Sequence, residues 1–299
     1  AYRHAVGWWW HGMLNNCKET SMKIGIVGTG TLGPSIAQVF AQCNDVETVY
    51  LCKGRETSKR NGKDALEKSL TKLVSKNKLS SEQVESILKK IITGPKIILS
   101  DVDLVIEAVA EDIDVKKNVF YELDLICKKE CIFATNTSSL PIKTIGEELS
   151  REIVGMHFFN PAPIMKLVEI IGSEKTSQTT VNTLMEIAKK IGKTPVEVHE
   201  APGFIVNRIL IPMINEAISI CAEGVASVED IDTAMKLGAN HPMGPLALGD
   251  LIGLDVVLAI MEVMLKETGD VKYRPEAMLK RMVREGKLGR KSGEGFYKY

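Results

Sequence analysis

His157 and Glu169 are the residues of this sequence best suited to move a proton. Met156-His157-Phe158-Phe159-Asn160-Pro161 puts the histidine at the end of a strand-like apolar run. Lys166-Leu167-Val168-Glu169 puts the carboxylate in the next such run. A turn holding Pro161, Ala162 and Pro163 joins the two, so the side chains can meet. A histidine whose ring is oriented by a carboxylate works as a general acid or base. From spacing alone, a buried structural His–Glu pair fits equally well.

A second group of residues is built for phosphate. Gly28-Thr29-Gly30-Thr31-Leu32-Gly33 has the form G-x-G-x-x-G, and it follows a strand pattern and opens a helix. Gly28 allows the tight turn, Gly30 lets a pyrophosphate approach the backbone, and Gly33 lets helix and strand pack closely. The helix N-terminus adds free N–H groups and the positive end of the dipole. An NAD site carries Asp or Glu about 20 residues further on, at the end of the second strand, to bond the ribose 2′-OH. Here that position reads Tyr50-Leu51-Cys52-Lys53, with no carboxylate. Lys53, Arg55, Lys59, Arg60 and Lys63 follow, against the single acid Glu56. A missing carboxylate and nearby cations suit a 2′-phosphate, which favours NADP over NAD. A solvated basic helix start is the competing reading of the same run.

The elements that must position these residues alternate. Residues 23–27 form an apolar, β-branched run ending at glycines, a strand buried on both faces. Pro34 opens a helix in which Ile36, Ala37 and Phe40 share a face, and residues 46–51 read as the second strand. Residues 64–92 read as a helical hairpin, with Leu66, Leu70, Leu73 and Val74 on one face. Ser80 and Gln83 form a capping box, followed by Val84, Ile87, Leu88 and Ile91 at helical spacing. Strand patterns resume at 96–99, 104–109, 132–134, 153–157, 167–171 and 196–199, with helices at 113–128 and 176–192. The expected fold is a Rossmann-type, doubly wound, mostly parallel sheet carrying an inserted helical hairpin.

After Ala201-Pro202-Gly203 the pattern becomes wholly helical. Ile209, Met213, Ala217 and Cys221 share a face around Pro212, which should kink that helix. Ser227 and Asp230 cap the next helix, Gly238 ends it, and residues 246–268 read as one helix stopped by Gly269. The expected division is 22–200 for a dinucleotide-binding domain and 201–299 for an all-helical domain. Residues 1–21 hold all three tryptophans, Trp8 to Trp10, and read as an extension outside the fold, with Met22 a natural start.

Composition excludes several classes. Thirty-eight basic against 38 acidic residues leave no charge footprint for nucleic acid. No apolar run is long enough to span a membrane. Six cysteines, with no Cys-x-x-Cys pair and no zinc spacing, indicate free thiols in the cytoplasm and no metal site.

Six segments together resemble the 3-hydroxyacyl-CoA dehydrogenase family, from residue 23 to residue 299. They are residues 28–41 (GTGTLGPSIAQVFA), 136–140 (NTSSL), 155–171 (GMHFFNPAPIMKLVEII), 201–210 (APGFIVNRIL), 238–255 (GANHPMGPLALGDLIGLD) and 289–297 (GRKSGEGFY). The resemblance implies an oxidoreductase acting on short-chain 3-hydroxyacyl-CoA, with hydride transfer to or from NADP or NAD. It implies that His157 is the catalytic base and Glu169 its orienting carboxylate. Ser138 and Asn207 match residues around the reacting β-carbon and the thioester carbonyl, while Glu111, Lys116, Ser138 and Asn160 match cofactor contacts. Ser69, Lys72 and Lys76 match the surface that holds the CoA phosphates, and cations on one exposed helix face can grip phosphate. The second domain resembles the family's dimerisation domain, which implies a homodimer. Cys52 departs from the family, standing where its ribose-binding Asp usually is. A catalytically idle nucleotide-binding regulator or structural protein on the same fold is the alternative, and the filled catalytic positions argue against it.

Overall fold

The computed structural model describes residues 21–299, so the expectations for Trp8 to Trp10 and the rest of the first 20 residues lie outside it. The chain opens with β1 (Met22–Val27), a tight turn, α1 (Leu32–Ala41) and β2 (Val46–Cys52). Two helices, α2 (Gly62–Ser75) and α3 (Ser81–Lys90), lead into β3 (Ile91–Gly94). Then come β4 (Leu104–Glu107), α4 (Ile113–Ile126), β5 (Ile132–Thr135), the single turn α5 (Ile142–Ile145) and β6 (Ile153–Phe158). β7 (Leu167–Gly172), α6 (Gln178–Lys190) and β8 (Thr194–His199) follow.

The eight strands form one sheet in the order β3-β2-β1-β4-β5-β6-β7-β8. Every neighbouring pair is parallel except β6 and β7. The strand order reverses between β1 and β4, which opens a crevice at the C-terminal ends of those strands, where sheets of this kind bind ligands. The central strands are buried on both faces, as their unbroken apolar runs require. Ile24, Ile26, Leu104 and Ile106 pack into one core, and Val27, Val105 and Phe133 into the other.

The helical hairpin forms as expected, with Ser80 and Gln83 exchanging both capping-box bonds. Its end is different. Residues 96–99 are a 3-10 turn rather than a strand, and the strand is Ile91–Gly94, which pairs with β2. Ile91 continues the helical apolar spacing, but it is already extended (ψ 117°) and enters the sheet. Pro95 then breaks the ladder, and Ile97 points to solvent while Leu99 is buried.

Beyond β8 come α7 (Val206–Ala222), α8 (Val228–Gly238), α9 (Pro245–Ile252), α10 (Leu254–Thr268) and α11 (Ala277–Arg284). α7 runs on through Pro212, and Ser227 caps α8 through the Asp230 N–H. The single helix expected over 246–268 is two helices. Gly253 adopts φ +105°, a left-handed conformation that breaks the helix and that L side chains rarely adopt. Ile211, Ile214, Leu254, Met261 and Leu279 form the core of this part. Two buried carboxylates fasten its loops. Asp232 accepts the N–H groups of Leu246 and Ala247 at the start of α9. Asp250 accepts those of Phe296 and Tyr297 near the C-terminus. No helix among the described residues is long and apolar enough to cross a membrane.

Candidate active site

The antiparallel pairing of β6 and β7 places His157 directly opposite Glu169 in the register. Side chains opposed in this way project from the same face of the sheet. His157 Nδ1 lies 2.7 Å from Glu169 Oε2, and both side chains are almost wholly buried. The other carboxylate oxygen, Oε1, accepts the backbone N–H groups of Ile205 and Val206, both at 3.1 Å. These sit at the N-terminus of α7, where N–H groups have no intrahelical partner and the dipole favours negative charge. An ionised Glu169 pairs with the tautomer that carries its proton on Nδ1, and in that tautomer Nε2 is the unprotonated ring nitrogen. Phe159 and Phe204 flank the ring at centroid distances of 4.5 and 5.7 Å.

The glycine turn follows β1. Gly28 has φ +132°, and a Cβ there would lie 2.3 Å from the Ala108 carbonyl oxygen. A Cβ on Gly33 would lie 1.8 Å from the Gly28 oxygen, so the turn and α1 pack as only glycines permit. Gly30 is different: the nearest atom to its Cβ position is Arg60 Nη1 at 3.8 Å, so that side is open. α1 has no side-chain cap at Thr31, which leaves its first N–H groups free. Thr29 is buried, Leu32 half-buried and Thr31 exposed. An open cradle over uncapped N–H groups fits a dinucleotide pyrophosphate.

Cys52 ends β2 fully buried, its thiol 3.8 Å from the Pro95 carbonyl oxygen. Burial pushes that thiol up to about 12, so it carries no charge at neutral pH. Lys53 is half-buried and Arg55 exposed. Gly54 and Arg55 line a cleft of about 250 Å³ with Val115, Asn118 and Tyr121.

A buried ionic cluster joins the cofactor side to the Asn136–Leu140 loop. Lys116 Nζ lies 2.9 and 3.0 Å from the two oxygens of Glu107 and 3.2 Å from Glu111 Oε2. Glu107 also accepts from Val109 N–H and Thr135 hydroxyl. Glu111 Oε1 accepts from the Thr137 hydroxyl and the Ser138 N–H, each at 2.7 Å, and from Ser138 Oγ at 3.1 Å. Burial opposes the charge on Glu111, but Lys116 and these hydrogen bonds outweigh it and hold the carboxyl below its ordinary range. Asn207, on α7, donates from Nδ2 to the Ser138 carbonyl at 3.2 Å. Asn136 Oδ1 accepts the Phe158 N–H beside His157.

The expected residues thus fall into three groups. His157, Glu169, Asn207 and Ser138 are linked through the start of α7, and Ser138 connects to Glu111 and Lys116. Asn160 is exposed on the β6–β7 turn. Ser69 and Lys72 are exposed on α2 and Lys76 is exposed just past its C-terminal end, at i, i+3 and i+7, and no hydrogen bond joins them to the histidine. Glu107, Thr135, Thr137, Asn136 and the Ile205–Val206 backbone were not singled out from sequence. The one available signal was Glu107, a carboxylate inside an otherwise apolar strand.

Comparison with known proteins fits this geometry. The family profile for the 3-hydroxyacyl-CoA dehydrogenase NAD binding domain matches residues 23–201, and that for its C-terminal domain matches residues 203–299. The chain belongs to the 3-hydroxyacyl-CoA dehydrogenase family. It is 53% identical over 281 residues to a 3-hydroxybutyryl-CoA dehydrogenase of Clostridioides difficile, covering 93% of this chain and 99% of that one. It is 50% identical to a probable 3-hydroxybutyryl-CoA dehydrogenase of Deinococcus radiodurans, covering 93% of this chain and all of the relative (100%). A crystal structure of an (S)-3-hydroxybutyryl-CoA dehydrogenase from Ralstonia eutropha superposes with a TM-score of 0.86 at 44% identity, covering 93% and 99% of the two chains.

Proposed function

We propose that this dehydrogenase interconverts (3S)-3-hydroxybutyryl-CoA and acetoacetyl-CoA, with His157 as the acid–base group. The observation that carries the reading is the 2.7 Å His157–Glu169 contact, with the second Glu169 oxygen held by two backbone N–H groups. The nicotinamide, when bound, accepts or returns the hydride of substrate C3. His157 Nε2 takes the proton of the 3-hydroxyl in oxidation and returns it in reduction. Glu169 fixes the ring and stabilises its charged form. Ser138 and Asn207 hydrogen-bond the 3-oxo group and hold the substrate for attack. Gly28 to Gly33 hold the pyrophosphate, with Glu111, Lys116 and Asn160 as further cofactor contacts.

The cofactor we favour is NADP. A neutral, buried Cys52 leaves no negative charge at the end of β2; Lys53 follows it, and Arg55 lines the adjoining cleft. Acetoacetyl-CoA reduction with NADPH and with NADH, measured side by side, tests this. A kcat/KM at least about tenfold higher with NADPH is expected, a margin of one good ion pair. A preference for NADH would make the basic run plain solvated surface. No turnover with either cofactor, despite tight cofactor binding, would favour the idle nucleotide-binding protein.

Ser69 and Lys72 on α2, with Lys76 at its C-terminal end, are assigned to the CoA phosphates. Lys76→Ala is expected to raise KM for acetoacetyl-CoA roughly 3- to 10-fold with little change in kcat, as for one exposed phosphate contact. An unaltered KM would direct attention to a 3-hydroxy acid without CoA. The C-terminal helices leave Ile209, Leu237, Leu251 and Val256 exposed. That apolar surface suits a symmetric contact with a second copy, and a homodimer is the assembly we assign.

A further inference from the structure

The glycine turn and α1 carry no charged side chain from Gly28 to Ala41, so a bound pyrophosphate finds no counter-charge there. Lys116 is already held by the carboxylates of Glu107 and Glu111. A free cation comes instead from the loop between β2 and α2. That loop turns at Arg55, whose carbonyl accepts the Ser58 N–H at 3.0 Å, and the Arg60 N–H donates to the Ser58 hydroxyl at 3.4 Å. Asn61 then caps α2 by accepting the Lys63 N–H. Gly62 follows, and a Cβ there would lie 2.8 Å from Leu51 Cδ2 and 2.9 Å from Thr29 Cγ2. A glycine lets the start of α2 lie this close to β2 and the turn. Arg60, two residues before it, is thereby set over Gly30, with Nη1 3.8 Å from the position of a Cβ there. Its side chain is exposed, and no ion pair among the described residues involves it. Asp64, in the first turn of α2, accepts from the Asn61 amide at 2.8 Å instead.

We propose, resting on the assignment of Gly28 to Gly33 to a dinucleotide, that Arg60 closes over the bound pyrophosphate and supplies the positive charge that the turn lacks. Gly30 is where a pyrophosphate approaches the backbone. A phosphate there meets both the free N–H groups of α1 and the Arg60 guanidinium, whose planar fork pairs with two phosphate oxygens at once. The helix N-terminus offers only partial charge, and Arg60 adds a full one. Its role differs from that of Lys53 and Arg55. Those two follow the end of β2, where the adenosine ribose is read, and bear on the choice between NADP and NAD. The pyrophosphate is common to both cofactors, so Arg60 strengthens the binding of each by the same factor, whichever the enzyme prefers.

The test is a binding measurement on the full chain, without acyl-CoA. NADH and NADPH are titrated by their fluorescence into the unmodified protein, Arg60→Gln and Lys68→Gln. Lys68 is exposed on α2, and its replacement removes the same unit of charge away from the turn. In Arg60→Gln the Kd of both cofactors is expected to rise about tenfold or more, as for one lost charge-assisted contact, with their ratio kept within about twofold. In Lys68→Gln both are expected to stay within about twofold, because solvent and salt screen an exposed charge. A rise confined to NADPH would overturn the proposal and move Arg60 to the 2′-phosphate. An equal rise in Lys68→Gln would overturn it as well, leaving only a general attraction of the basic surface. Tight binding of both cofactors, undiminished in Arg60→Gln, would remove Arg60 alone. An unmodified chain that binds neither cofactor would overturn the dinucleotide reading together with it.

Discussion

Replacing His157 by Gln is expected to lower kcat/KM for acetoacetyl-CoA reduction about a thousandfold while cofactor affinity stays within about twofold, because a positioned general acid–base group contributes roughly 10²–10⁴. Glutamine preserves volume and can still donate to Glu169 Oε2, so the pocket among Phe159 and Phe204 is retained. What it cannot do is take or return a proton at the position of Nε2. Steady-state rates and a titration of reduced cofactor by its fluorescence separate these effects. Turnover within tenfold of the unmodified enzyme would remove His157 from the mechanism.

Glu107→Ala is expected to cost about 3 kcal/mol of folding stability, at the lower end of what breaking a buried ion pair costs. Both partners of that pair are inaccessible, Glu107 at 0% and Lys116 at 1%. Removing the carboxylate leaves the Lys116 ammonium with only Glu111, and it strips an acceptor from the Thr135 hydroxyl and the Val109 N–H. The remaining pair makes the variant acid-sensitive. Glu111 titrates below its ordinary range, so its contribution is complete above the unfolded carboxylate value and fades as pH falls through the lower, folded one. Urea unfolding at neutral pH and near pH 4 should therefore show a larger loss at the lower pH in the variant. A stability change under about 1 kcal/mol at neutral pH, the net worth of an ordinary hydrogen bond, would mean that the cluster is not the anchor described here.

What the sequence made legible follows from local rules. The glycine turn, the buried strands and the capping box at Ser80 each depend on residues within a few positions of one another, and each forms as its spacing demands. The helix–strand boundary near Ile91 was obscured because an isoleucine at the right spacing serves a helix face and a buried strand equally well. Gly253 broke a long apolar run that periodicity alone joins, since a left-handed φ is not encoded in hydropathy. The candidate site shows the same division. His157 and Glu169 are adjacent hairpin strands apart and could be paired from sequence. The N–H groups of Ile205 and Val206 that hold Glu169 belong to a helix more than thirty positions further on (the separations are 36 and 37 residues). The Glu107–Lys116–Glu111 cluster was hidden because Lys and Glu at such spacing usually share a solvated helix face, whereas here the sheet and α4 enclose them.

The central claim is hydride exchange between a nicotinamide and C3 of a four-carbon acyl-CoA, with the proton passing through His157. The most direct measurement follows deuterium from reduced cofactor labelled at its hydride position into the product of acetoacetyl-CoA reduction. The expected product is (3S)-3-hydroxybutyryl-CoA with one deuterium at C3, formed at the full rate by the unmodified enzyme and about a thousandfold more slowly by His157→Gln. Product without deuterium, or no product from enzyme that binds both cofactor and acetoacetyl-CoA, would contradict it.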